Sequence, residues 1–337
     1  MKLLKNIVVI ICLFMLFSGF LITQSAQDRG LVAQINVSGN GQIIAVAYFT
    51  SDVRYPIDFF DTNTGEFIDS MDTAIYGFSD FALNPTGDRL IGTDGLGGLY
   101  IYDRRDNSFD IIREPSSSTS LGGLYWSPVE ESLITYILGS SVQFLNIETR
   151  EVIGIFNSTI GNIVDIAFSP NGDQVVSSSF APENIVNPVA SFGLEIWGTI
   201  PQSGGVISEP NLALNDIGGG RLVWSPDGER IAVLGGTGLS IFNILEENIE
   251  ITNLDADIDD DNLYDLAWSP DSRYLATNGS FLRVWDIDDY SLLGEFSELA
   301  TVREIVWSPD GGTIFAQNLS LSSNGLGVFE IDLLTTE

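Results

Sequence analysis

Trp307-Ser308-Pro309-Asp310-Gly311 closes a series in which one phrase recurs along almost the whole chain. The order is an aromatic or apolar residue, Ser-Pro, a turn, then a short apolar stretch. It occurs as Trp268-Ser269-Pro270-Asp271, Trp224-Ser225-Pro226-Asp227-Gly228, Phe168-Ser169-Pro170-Asn171-Gly172 and Trp126-Ser127-Pro128. Leu83-Asn84-Pro85-Thr86-Gly87 is a looser copy and Val37-Ser38-Gly39-Asn40-Gly41 a degenerate first one. The serine-equivalent positions 38, 84, 127, 169, 225, 269 and 308 lie 46, 43, 42, 56, 44 and 39 residues apart. Self-similarity at such a period marks a repeat architecture.

The phrase has a physical reading. Proline fixes φ at the first turn position, and Asp or Asn followed by Gly supplies the positive φ that closes a hairpin. The stretches after the turn, such as Arg230-Ile231-Ala232-Val233 and Tyr274-Leu275-Ala276, are short and β-branched or apolar, as strands are. A third strand is predicted to end at Phe60-Asp61, Tyr102-Asp103, Leu145-Asn146, Trp197-Gly198, Phe242-Asn243, Trp285-Asp286 and Phe329-Glu330. A fourth, such as Glu151 to Phe156, follows in the first six copies. Four short antiparallel strands every 40 to 45 residues or so make one propeller blade. The sequence therefore predicts an all-β fold, a seven-bladed β-propeller of four-stranded antiparallel blades spanning residues 27–337. The last repeat stops after its third strand, at Ile331-Asp332-Leu333, so the last blade has three strands unless another segment completes it. Counting back by the repeat phase, that segment would be about Ile22 to Ala26.

Aromatic-Ser-Pro-Asp-Gly, together with Val284-Trp285-Asp286-Ile287, resembles the WD-repeat family over residues 31–334 or so. TolB-like and peptidase-associated propellers carry a similar phrase. The family's Gly-His pair is missing, since the chain has no histidine. The Asp-His-Ser/Thr-Trp network that the resemblance would imply therefore cannot form, and apolar packing and backbone ladders must hold the blades.

Residues 1–26 read as an export segment. Lys2 and Lys5 precede an apolar run from Ile7 to Ile22, followed by Thr23-Gln24-Ser25-Ala26. A positive start, an apolar middle and a small-residue end compose a secretory signal, with a retained N-terminal membrane anchor as the alternative. The protein is expected to be exported: secreted, periplasmic or anchored on the outer side of the cytoplasmic membrane. After residue 26 there is no Lys, Cys or His, and 12 arginines face 46 carboxylates, a formal charge of −34. Such a field repels nucleic acid and anionic membranes and favours a basic protein or glycan partner.

The missing side chains also bound the chemistry. Without His, Cys or Lys there is no usual general base, thiol or amine nucleophile. The expected role is a non-enzymatic binding or scaffold propeller, with a carbohydrate- or ester-active hydrolase using paired carboxylates as the alternative. The glycines of Gly95-Leu96-Gly97-Gly98 and Gly218-Gly219-Gly220 lie between strands, not before a helix, and read as turns rather than phosphate loops. No cofactor is expected, apart from calcium at Asp255, Asp257, Asp259 and Asp261, whose alternation suits a hard cation. A solvated acidic connector is the competing reading, because Asp260 stands where a calcium loop requires Gly. Tyr55, Phe180 and Phe192 fall in irregular insertions and are the candidate ligand-binding aromatics. By strand parity, those insertions lie on the face opposite the Ser-Pro turns, where function on variable loops is expected. If the aspartates bind calcium, millimolar Ca²⁺ should raise the melting temperature, as any native-state ligand does. Magnesium should do less, and the shift should vanish in Asp257→Asn/Asp259→Asn. A shift surviving that double change would mean charge screening instead.

Overall fold

The computed structural model describes residues 31–49, 56–71, 78–116, 121–182, 191–198, 205–207, 209–215, 220–235, 238–244, 250–254, 265–279, 281–296, 302–318 and 326–331. They form seven sheets. The first contains β1 (Leu31–Val37), β2 (Ile43–Phe49), β3 (Ile57–Asp61) and β4 (Phe67–Met71); the second β5 (Asp80–Leu83), β6 (Arg89–Thr93), β7 (Leu99–Asp103) and β8 (Ser108–Arg113). The third is built from β9 (Gly122–Trp126), β10 (Leu133–Leu138), β11 (Ser141–Asn146) and β12 (Glu151–Asn157). The fourth takes β13 (Asn162–Phe168), β14 (Val175–Ala181) and β15 (Ser191–Trp197), then, after β16 (Gly205–Ile207), β17 (Leu212–Asn215). The fifth has β18 (Leu222–Trp224), β19 (Arg230–Gly235), β20 (Gly238–Asn243) and β21 (Glu250–Leu254). The sixth has β22 (Asp265–Trp268), β23 (Tyr274–Asn278), β24 (Leu282–Asp286) and β25 (Ser291–Phe296). The last holds only β26 (Val302–Trp307), β27 (Thr313–Asn318) and β28 (Leu326–Glu330). Seven blades were expected, the last of three strands unless another segment completes it. Six sheets reach four strands, because the last repeat supplies no fourth strand among the described residues.

The Ser-Pro phrase works as a hydrogen-bonded turn. In the seventh repeat the Thr313 amide donates to Ser308 Oγ (2.9 Å), Ser308 Oγ donates to Asp310 (2.6 Å), and the Gly311 amide donates to the Ser308 carbonyl (3.0 Å). The same three bonds recur from Ser38, Ser169, Ser225 and Ser269, and in part from Asn84. The glycine position has φ between 71° and 80° in five copies, while Ser272 takes it at 62° in the sixth. Ser272 is retained there by a neighbour: its Oγ accepts the Asp227 amide of the preceding turn at 2.9 Å.

Neighbouring sheets meet through their first strands in a closed cycle, β1–β5–β9–β13–β18–β22–β26 and back to β1. Each of the seven interfaces has its own apolar cluster. Trp126, Trp224, Trp268 and Trp307 fill four of them, at equivalent positions. The indole N–H of Trp268 donates back to the Val223 carbonyl (3.3 Å), and that of Trp307 to the Ala267 carbonyl (2.9 Å). Within blades, Trp197 donates to Ser177 Oγ (3.0 Å) and Trp285 to Thr277 Oγ1 (3.1 Å), tying the third strand to the second without a histidine. First and last sheets meet directly: Val32, Ile35, Ile44, Val46, Tyr48 and Phe60 pack on Phe315.

One element was not foreshadowed by the repeat. The 56-residue spacing of the fourth copy is partly spent on β16, which leaves its own sheet and pairs in parallel with β12 at the edge of the third. The turns also pack edge to edge: a methyl on Gly41 would lie 2.7 Å from Pro309 of the last repeat, whereas one on Gly139 would meet nothing within 4 Å. Both glycines have positive φ, 72° and 62°. Gly139→Ala should therefore cost about 1–2 kcal/mol from backbone strain alone. Gly41→Ala should cost roughly 2–4 kcal/mol, because overpacking is added at the closing interface. Equal losses in denaturant unfolding would show that the first and last turns do not touch.

Candidate binding channel

Four residues before each serine-equivalent stand Gln34, Asp80, Gly123, Asp165, Arg221, Asp265 and Glu304. The first strand of each sheet has no further strand on its inner edge, so its inward amides need other partners. Gln34 Nε2 donates to Asp80 Oδ1 (2.8 Å), and the Leu124 amide of the next sheet donates to Asp80 Oδ2 (2.9 Å). Tyr125 donates its hydroxyl to Asp165, which also accepts the Leu222 amide (3.0 Å). Arg221 Nε donates to Asp265 Oδ1 (2.8 Å), and the Ile305 amide to Asp265 Oδ2 (3.0 Å). The Ile35 amide donates to Glu304 Oε2 (2.7 Å) and returns the path to the first sheet. A belt of hydrogen bonds thus passes through every interface. Extra residues in β1, β9, β13 and β26, each a β-bulge, fall beside these positions and re-aim the strand there.

The belt encloses a cavity of about 680 Å³, which continues into one of about 360 Å³ beside β13 and β18. Its wall includes Gln34, Asp80, Tyr125, Arg221, Asp265 and Glu304, and it reaches the Ser-Pro turns at Gly39, Asn40, Pro226, Pro270 and Pro309. Burial raises Asp80, Asp165 and Tyr125 above their ordinary pKa values. Burial, with Asp265 and Asp80 adding to it, pushes Glu304 up to about 8. Asp265 and Asp165 hold Arg221 firmly protonated, with Nη1 3.7 Å from Asp165. Although surrounded by protein, its side chain is 44% exposed, to the channel interior. The result is a confined, water-accessible passage lined by four acids and one arginine.

Of the residues singled out in the sequence, Phe180 and Phe192 are among those described, and they lie elsewhere. Phe180 and Phe192 are a half-buried cross-strand pair of β14 and β15, ring centroids 4.8 Å apart, so they flank the insertion at 183–190 rather than sit within it. Tyr55, Asp255, Asp257, Asp259 and Asp261 lie outside the described residues, as do 50–55, 183–190, 319–325 and residues 1–30. The described cavity reaches the opposite face. Among the described residues no cluster of three or more His, Cys, Asp or Glu could hold a metal ion, and no helix is long and apolar enough to cross a membrane. The belt had a signal that the sequence reading passed over: a polar residue at a fixed place inside strands that are otherwise apolar.

Residues 251–286 match the family described as WD domain, G-beta repeat. The match covers β21 and then β22 to β24, the outer strand of one blade with the first three of the next. No curated protein matches the chain. Among solved structures it is similar to Kuenenia stuttgartiensis hydrazine synthase, at 15% identity and a TM-score of 0.69, over 88% of this chain and 95% of that one. It is also similar to the Myceliophteria thermophila Cps50 (Swd1) β-propeller domain, at 12% identity and a TM-score of 0.72, over 90% of this chain and 98% of that one. At these identities the likeness concerns fold alone. The chain is a β-propeller, with one stretch, residues 251–286, matching the WD-repeat model.

Proposed function

We propose that the protein is a non-enzymatic recognition propeller working outside the cytoplasm, with the three-stranded sheet as its seventh blade. Its ligand is a cationic group of a basic partner, entering the channel from the Ser-Pro face. The observation that carries this reading is the acidic lining of a cavity of about 680 Å³, a size that holds a small ligand or an inserted side chain. Arg221 is the one cation in that lining, against Asp80, Asp265 and Glu304. The formal charge of the chain, −32, draws basic groups toward it, and the signal-like N-terminus supports export.

Paired-carboxylate hydrolysis is favoured by one observation, the raised pKa of Glu304 beside Asp265, which suits a general acid. Against it, both oxygens of Asp80, Asp165 and Asp265 already accept hydrogen bonds within the belt. A screen of glycoside and ester substrates that found turnover lost in Glu304→Gln would reverse this preference.

Trp224, Trp268 and Trp307 line the channel and report its occupancy. Titration with tri-arginine amide should change indole fluorescence, and Asp80→Asn should weaken binding about tenfold, or about 1.4 kcal/mol. The exposed Asp110→Asn should leave affinity nearly unchanged. Equal weakening by both would assign binding to the diffuse field. Residues 1–30 fused to a reporter active only after export should give signal; a silent fusion would sink the extracytoplasmic placement.

A further inference from the structure

The seam between last and first sheets is crossed in the belt by one ionisable side chain. Glu304 on β26 accepts the Ile35 amide of β1, and among the described residues no fourth strand reinforces the last sheet. Among the described residues the charged groups facing Glu304 are Asp265 on β22, Arg221 on β18 and Asp80 on β5, while Gln34, next to the amide it binds, is uncharged. Arg221 is already engaged by Asp265 and Asp165.

We propose that this seam is a proton-dependent latch and that Glu304 is its sensor. As a neutral acid, Glu304 sits between Asp265 and Asp80 with Oε2 on the Ile35 amide. As an anion in the same place it keeps the Ile35 amide, which favours the charged form, but meets the like charges of Asp265 and Asp80 across the passage and a guanidinium engaged elsewhere. It must then draw in water or a cation, and the contact between β26 and β1 loosens.

The transition falls near neutrality, since burial carries the carboxyl from its ordinary 4.5 up to about 8. Between those values the folded chain holds a proton that the unfolded chain does not. The stability supplied by the neutral acid is therefore complete below about pH 4.5 and lost as pH rises toward 8. Composition removes the groups that usually titrate here and leaves Glu304 with the other raised carboxyls of the belt, Asp80 and Asp165. There is no histidine, and Lys2, Lys5 and Cys12 all precede residue 27. An ordinary protein titrates through histidine in this range; here a displaced carboxyl takes that place.

Thermal unfolding of the full chain at pH 6 and pH 8 tests the latch. The wild-type melting temperature should fall by about 5 °C. Glu304→Gln, permanently neutral, should fall by no more than about 1 °C, and the surface control Asp110→Asn should fall as the wild type does. A Gln variant that loses as much as the wild type overturns the proposal, as does a wild type with no fall. Should the Gln variant not fold, amide hydrogen exchange in the wild type decides. Corrected for base catalysis, protection of Ile35 should drop about tenfold more than that of Leu124 over the same range. Parallel behaviour of the two amides also overturns it.

Discussion

An antiparallel sheet leaves unpaired amides along its edges, and a ring of sheets turns one such edge of every member toward the axis. The belt answers that constraint. Amides of Leu124, Leu222, Ile305 and Ile35, which lie on four different first strands, each bond a carboxylate on the preceding sheet. Where the pattern lacks an acid, Gln34, Tyr125 and Arg221 keep the path unbroken by donating to the acid of the next sheet. The apolar clusters outside the belt supply most of the burial, but they are non-directional. The belt sets how far each blade sits from its neighbour, and its lining follows from the same residues.

Much of the architecture was legible because the turn chemistry is local. Ser, Pro, Asp and Gly are chosen by bonds that span at most five residues, so their order predicts two strands and the hairpin between them. The third and fourth strands followed from aromatic-plus-polar endings such as Trp285-Asp286. The packing role of Trp126, Trp224, Trp268 and Trp307 followed from their equivalence, and their clusters lie between sheets. The belt was not legible in the same way. Gln, Asp, Gly, Asp, Arg, Asp and Glu share no single identity, and the six with side chains find partners 40 or more residues away. Their common property is position, which acquires meaning once the strands stand around an axis.

The reading of Phe180 and Phe192 shows a further limit. Irregular loop length pointed to one side of the ring, and Phe180 and Phe192 were taken as loop aromatics there. Their register with each other places both in the ladder, where a cross-strand aromatic pair is an ordinary constituent of a hairpin such as β14–β15. Uniform turns drew no notice, yet uniform turns are what a regular rim requires. Gly41 against Pro309, Gly228 near Pro170 and Gly311 near Pro270 assemble that rim from small residues and fixed rings.

In most repeat proteins each unit couples to its nearest neighbours through surface contact, and stability behaves as a sum of local terms. The strand β16 departs from that scheme. It belongs to the fourth repeat by sequence and to the third sheet by backbone hydrogen bonds, so neither repeat is complete without the other. The third and fourth repeats are thereby joined through the backbone as well as through packed side chains. A ring so built has unequal joints. The joint between the third and fourth sheets is the one, among the described residues, that adds strand pairing to side-chain packing, and it lies well away from the three-stranded sheet at which the ring closes.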